Sequence, residues 1–251
     1  MPEDMGHFRR NLEKRRFRLI SGLVAPGNKP AQHYRRAQSS LSGVVTDELQ
    51  SNVTPRVLDV GCGSGWLSEM LGKRGFSVTA LDMGLDSIRR AAERVKGNTG
   101  DVSFVLGDIY RLPFSDGRFD AVAASEVLEH LDRPQEALSE IVRVVKPGGC
   151  IVVSTPYRER IEETLCVHCN RKTPINAHLH SFDEIIIEDM FKAAGCVIQK
   201  RVTFVNRSAE RFGLAGFTYF LPYMVWRFFD AVACRLIRRE SFMAVKAVRV
   251  G

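Results

Sequence analysis

The sequence has no uninterrupted apolar run of the roughly eighteen residues that a membrane-crossing helix needs, so no transmembrane helix is expected. Its first residues, MPEDMGHFRRNLEKRRFRL, lack the apolar centre of a secretory leader, and none is expected. Six cysteines lie mostly in or beside candidate core segments, without the spacing of a disulfide framework. A reducing, cytosolic setting is therefore expected. There is no internal repeat and no low-complexity tract. At 251 residues, 45% of them hydrophobic, the chain suits one α/β domain with appended segments and a full core.

The stretch Arg56–Gly65, RVLDVGCGSG, carries the most information. Val57, Leu58 and Val60 suit a buried parallel strand. Gly61, Gly63 and Gly65 follow at alternate positions, where the missing Cβ lets backbone face a ligand. From Trp66 to Leu71 the pattern turns helical. Strand, glycine turn and helix open a nucleotide-binding α/β unit. A dinucleotide fingerprint wants glycine at the first, third and sixth positions, the last for close packing. Counted from Gly61 the sixth residue is Trp66, so the pattern is G-x-G-x-G. Asp59 adds a carboxylate beside the turn, which repels a pyrophosphate but not a cation.

This combination resembles the class I S-adenosylmethionine-dependent methyltransferases, whose ligand carries a sulfonium and an ammonium but no phosphate. Ser77 to Leu81 reads as a second strand ending in Asp82, about twenty residues beyond the glycine turn, where an α/β fold brings a carboxylate to a ribose diol. A third strand, Val102 to Leu106, runs into Asp108 and Ile109. In the resembled family these places accept from the adenine amino group and pack on its ring. A fourth strand, Phe119 to Ala124, leads to Ser125 and Glu126, and a fifth lies at Cys150 to Ser154. LPFSDGRFDAVAASEVLEHL followed by VVKPGG is similar to the small-molecule, quinone-biosynthesis branch (methyltransferase type 11), and the likeness spans Arg56 to Thr155. It implies a Rossmann-like, seven-stranded, mostly parallel sheet with helices on both faces and an antiparallel last strand. It also implies S-adenosylmethionine as cofactor, lined by Asp59, Gly61, Cys62, Gly63, Asp82, Met83, Asp108, Ile109 and Ser125. Tyr34, just before the core, is expected to cover the ligand.

The predicted path places helices near residues 8–20 and 35–51, at Trp66–Lys73, Leu85–Val95, Arg133–Val145 and Glu184–Ala194, with Asp132 and Asp183 as N-caps. Cys196–Val205 and Phe242–Val250 read as the last two strands. Residues 1–50 form a basic helical segment, expected to cover the cofactor site, and residues 51–251 the methyltransferase domain, with lid insertions at 157–182 and 207–240. Residues 1–40 hold nine Lys and Arg against three acids, most of the formal +7. This arm suits either an anionic partner or a solvated helix face.

Two segments exceed the minimal core. In the first, Cys166 and Cys169 form C-x-x-C, and His178 and His180 form H-x-H. Two thiolates and two imidazoles suit a structural zinc stapling the lid; the other reading is a lid with reduced thiols and a histidine facing substrate. The second, Phe212 to Ile237, is the most apolar and aromatic part of the chain. It suits a greasy lid for a lipid-linked substrate or a membrane surface, a core-packing helix, or a homodimer interface.

Methyl transfer needs orientation, exclusion of water and sometimes a base. The candidate catalytic residues are Glu126, His130 and His178, with His180 beside the last. No Asn-Pro-Pro-Tyr or Asp-Pro-Pro-Tyr follows the fourth strand, which argues against methylation of nucleic-acid base amines. The expected activity is O-methylation of a small or lipid-linked acceptor. The rivals are an RNA or protein methyltransferase using the basic arm, and a non-catalytic S-adenosylmethionine-binding scaffold.

Overall fold

The computed structural model describes residues 3–24, 54–97, 100–206, 221–237 and 240–251. In chain order come α1 (Glu3–Val24), β1 (Arg56–Val60), α2 (Trp66–Lys73), β2 (Ser77–Asp82), α3 (Leu85–Val95), β3 (Val102–Leu106) and β4 (Phe119–Ser125). A 3-10 turn at Leu128–His130 precedes α4 (Pro134–Val144) and β5 (Val145–Pro156). A small hairpin, β6 (Glu163–Leu165) and β7 (Lys172–Pro174), is followed by α5 (Glu184–Ala193), β8 (Cys196–Asn206), α6 (Tyr223–Ile237) and β9 (Glu240–Arg249).

Seven strands make one sheet in the order β3-β2-β1-β4-β5-β9-β8. β1 to β5 pair in parallel, and β9 runs antiparallel between β5 and β8. The last strand alone opposes the others, as expected. Strand order reverses between β1 and β4, which opens a crevice outside their carboxyl ends.

The apolar runs reflect burial on both faces. Leu58, Val60, Val122, Ile151 and Val153 pack beneath Leu138 and Ile141 of α4 and Ile187 and Phe191 of α5. Val57, Ala121, Ala123 and Val152 meet Ile20 and Val24 of α1, Leu67 and Leu71 of α2, and Trp226 of α6. The first helix is thus part of the domain's core rather than a loose arm.

The close-packing glycine is Gly65, one place before the sixth. A Cβ there would lie 2.8 Å from the Ala91 Cβ and 2.9 Å from its Cα, so α2 opens hard against α3. Trp66 instead turns its ring to Arg94, whose guanidinium sits 3.6 Å from the ring centroid.

Two local expectations change. The residue capping α4 is Arg133, without a side-chain cap bond, not Asp132; Pro134 starts the helix with its preset φ. β5 begins at Val145, so Pro147 and the following glycines lie within it. Asp183 does cap α5, accepting from Ile185 and Ile186 N–H at 3.0 and 2.9 Å. Tyr34 and the helix expected at 35–51 lie outside the described residues, as do residues 207–220 of the second lid.

Candidate active site

The glycine turn hangs on the end of β2. Cys62 N–H donates to the Leu81 carbonyl at 3.0 Å, and Gly63 N–H to Asp82 Oδ2 at 2.9 Å. The other oxygen, Oδ1, accepts from Gly84 N–H at 2.8 Å. Asp82 is thereby oriented by backbone on both oxygens, each with a lone pair to spare. Gly107 N–H bonds the Asp82 carbonyl at 3.0 Å, bringing the end of β3 alongside. Arg94 Nε holds the Ser64 carbonyl at 2.7 Å.

Three acids thus end three successive strands, in different settings. Asp59 is 1% exposed and accepts from Ser68 Oγ at 2.5 Å. Burial pushes its carboxyl up to about 7, with the Ser68 hydrogen bonds opposing and nearby Asp82 adding to the rise. Burial, reinforced by Asp59 and Asp82, also pushes the Cys62 thiol up, so it is a packing group rather than a nucleophile. Asp108 is exposed and accepts from Tyr110 N–H at 2.9 Å, while Ile109 is buried among core residues. Met83 lies 84% exposed at the rim.

A cavity of about 230 Å³ occupies the switch point, lined by Asp59, Gly61, Cys62, Gly63, Ser125 and Glu126 below and by Glu13, Arg16 and Phe17 of α1 above. Arg16 meets Glu126 at 3.6 Å. A larger cavity of about 660 Å³ shares Arg16 and Glu126 and continues to Pro156, Glu159, Arg160, His178 and Phe242. Glu126 is therefore the wall between the two. Its φ of 56° is left-handed, uncommon outside glycine. Its backbone N–H donates to the Ser154 carbonyl at 2.9 Å and its Oε1 accepts from Ser154 Oγ at 3.1 Å. Ser125 Oγ lies 3.0 Å from Ser154 Oγ. Burial raises the Glu126 carboxyl, and Arg16 opposes the rise.

The family model described as a methyltransferase domain matches residues 58–153. The chain is 40% identical over 141 residues to a demethylmenaquinone methyltransferase of Renibacterium salmoninarum, covering 52% of this chain and 58% of that one. It is 34% identical over 143 residues to a mitochondrial ubiquinone biosynthesis O-methyltransferase of Schizosaccharomyces pombe, covering 53% and 50%. It spans about half the length of these curated relatives. An S-adenosylmethionine-dependent methyltransferase from Mesorhizobium loti shares the fold, with a TM-score of 0.54 at 20% identity over 78% of this chain and 91% of that one.

Around this site the described neighbours come from several separate segments. α1, within the basic segment expected to cover the cofactor site, supplies Glu13, Arg16 and Phe17 over the smaller cavity. Glu159 pairs with His178 Nδ1, and the His130 and His178 rings stand 4.7 Å apart. Glu129 is fully buried, neither carboxylate oxygen has a partner, and burial, with Glu126 adding, pushes its acid up to about 9. No local pattern marks these pairings, because each joins segments far apart in sequence.

The expected zinc cage of Cys166, Cys169, His178 and His180 does not assemble. Cys166 and Cys169 sit in the tip between β6 and β7, whereas His178 lies below the hairpin against Glu159. His180 packs beside Phe182. Among the described residues, the only metal-ligating trio whose donor atoms converge is Glu129, His130 and His178.

Proposed function

We propose that this chain is an S-adenosylmethionine-dependent methyltransferase that methylates an oxygen of a small or lipid-linked acceptor. The observation that carries the reading is the pair of adjoining cavities divided by Glu126, one built on the glycine turn and one large enough for an acceptor. The residues fit the cofactor: a Cβ on Gly63 would meet nothing within 4 Å, so that face of the turn is open to a ligand. The quinone-related names of the relatives support the acceptor class.

When bound, the cofactor supplies a methyl group already activated on a sulfonium. Gly61, Cys62, Gly63, Asp59 and Ser125 hold its amino-acid end, Asp82 its ribose with Met83 beside it, and Asp108 with Ile109 its adenine. Phe17 and Arg16 of α1 cover the small cavity and exclude water. Glu126 stands where the two substrates meet and takes the acceptor's hydroxyl proton. Calorimetry is expected to show S-adenosylmethionine binding that Asp82→Ala weakens more than tenfold, since the diol loses its acceptor. Binding of NADH or ATP instead would overturn the reading.

The basic arm gives little support to an RNA or protein substrate. Lys14 lies 5.6 Å from the Trp66 ring, Arg15 4.8 Å from Trp226 and Arg18 4.7 Å from Tyr223, and Arg16 pairs with Glu126. These cations face the protein's own rings and acid rather than phosphates.

The lipid-linked part of the reading comes from α6. Trp226, Asp230 and Cys234 are buried on one side, while Met224, Phe228, Phe229 and Leu236 are 54% or more exposed on the other. Such an apolar face, with Arg235 in the last turn of α6 and Arg238 and Arg239 next in sequence, suits the surface of an anionic bilayer. The protein is expected to float with anionic liposomes, and Phe228→Glu to sink it; monomer–dimer exchange without flotation assigns the face to a second copy.

A further inference from the structure

The C-x-x-C of the lid lines neither cavity. Cys62, Cys150, Cys196 and Cys234 are buried, whereas Cys169 is exposed and Cys166 half-buried, all as free thiols. The two accessible sulfurs share the turn that joins β6 to β7. Cys166 N–H donates to the Arg171 carbonyl at 2.8 Å, and Asn170 N–H to the Cys166 carbonyl at 2.9 Å. Asn170 closes the turn at a left-handed φ of 52°, which asparagine tolerates. Inside it the Cys169 and His168 backbone N–H groups and the Cys169 thiol donate to the Cys166 sulfur and hold that thiol below its ordinary range. Two thiols at this spacing on a tight turn are how a structural zinc gathers half of its ligands.

The other half is missing from the chain's own surroundings. Structural zinc is almost always four-coordinate. Among the described residues no third ligating side chain converges on the two sulfurs. His178 is engaged by Glu159, and His180 packs beside Phe182. The tip is also poorly suited to stand alone in water, with Val167 92% exposed and Leu165 57%. Its charge points the same way. The hairpin Glu163–Pro174 carries Arg171 and Lys172 against one acid, Glu163, a balance of +1. Four thiolates around a divalent ion leave −2, which two such hairpins offset.

We propose that Cys166 and Cys169 form half of a zinc site that a second copy of this chain completes with the same two residues, so that one ion bridges two hairpins. Soft thiolates select zinc over the oxygen-seeking Mg²⁺ and Ca²⁺. The chemistry is coordination alone: each thiol releases its proton to solvent as its sulfur binds, and no electron is transferred. Val167 and Leu165 of the two tips are then covered together. The base of the hairpin reaches the acceptor side. Ile175 N–H bonds the Glu162 carbonyl at 2.9 Å, and both residues line the larger cavity with Asn176. The bridge therefore steadies that wall from outside, and it does not depend on the methyl-transfer reading.

The test is Co²⁺ titration of the full chain, stripped by chelator and kept reduced by a phosphine. It is read by the thiolate-to-cobalt charge-transfer band and by light scattering for mass in solution. The band is expected to reach its end point at one ion per two chains, with the mass doubling over the same range. Zn²⁺ is expected to remove the band and keep the dimer. Cys166→Ser and Cys169→Ser are each expected to abolish the band and to weaken metal-dependent pairing by roughly a hundredfold or more. Both replacements lie on an exposed hairpin tip, so an unchanged urea midpoint shows that the fold is intact. A thiolate band that saturates at one ion on a monomer, no thiolate band, or a mass indifferent to metal or to the serine variants overturns the bridge.

Discussion

Gly65→Ala is expected to cost the fold about 2–5 kcal/mol, whereas Gly63→Ala, two residues away in the same turn, costs about 1–2 kcal/mol. Both glycines have left-handed φ, 77° at Gly65 and 52° at Gly63. A Cβ in that region is strained by roughly 1–2 kcal/mol wherever it points. The surroundings then divide them. At Gly65 the new carbon meets the Ala91 Cβ at 2.8 Å and its backbone Cα at 2.9 Å, so α2 and α3 must move apart, adding about 1–3 kcal/mol. At Gly63 the new carbon meets nothing within 4 Å, and the open side is the face proposed for the cofactor. Gly63→Ala should therefore lower the urea midpoint by the smaller amount and weaken S-adenosylmethionine binding, while Gly65→Ala lowers the midpoint further, both with an unchanged slope. Equal losses of stability in the two variants would show that the turn does not divide its glycines between packing and ligand.

The division between these glycines marks how far the chain could be read before its structure was known. Strand, turn and acid are local, so RVLDV, SVTALD and SFVLGD announced β1 to β3 and the three acids at their ends. Parallel strands buried on both faces write continuous apolar runs, and α2 and α3 fell where their periodicity placed them. The missing sixth glycine was read as a sign against a dinucleotide, yet close packing persists one residue earlier, at Gly65. The acceptor side was far less legible. Arg16, Glu126 and His178 come from a helix, a strand end and a lid that no spacing connects. The C-x-x-C and H-x-H looked like one cage because they are near in sequence. The β6–β7 hairpin, with Thr164 facing Thr173, carries the thiols to its tip and leaves the histidines below it. Nothing in the sequence singles out Glu129; only the 3-10 turn, which tucks it beneath the lid, makes it buried and unpaired.

Cofactor binding is expected to weaken about tenfold for each pH unit below 7, through Asp59. In the ligand-free fold burial holds this carboxyl up to about 7, so it is largely protonated at pH 6. A sulfonium or ammonium in the neighbouring cavity favours the ionised form, and binding must then release a proton. Affinity consequently rises with pH and levels off above 7. The same group acts oppositely on folding: its folded value lies above the ordinary 3.8, so it favours the fold at low pH and loses that contribution as pH rises through 7. Weaker binding at pH 5.5 therefore does not arise from Asp59 unfolding the protein. Ser68, Asp82 and Cys62 surround the group, and Glu126, also raised by burial, borders the same cavity. Asp59→Asn separates these contributions, because it keeps the Ser68 partner and removes only the titration. Calorimetry in two buffers of different ionisation enthalpy at pH 6 is expected to count about one proton released by the native chain and close to none by Asp59→Asn. A steep pH dependence that survives in Asp59→Asn assigns it to Glu126 and removes Asp59 from the cationic end of the ligand.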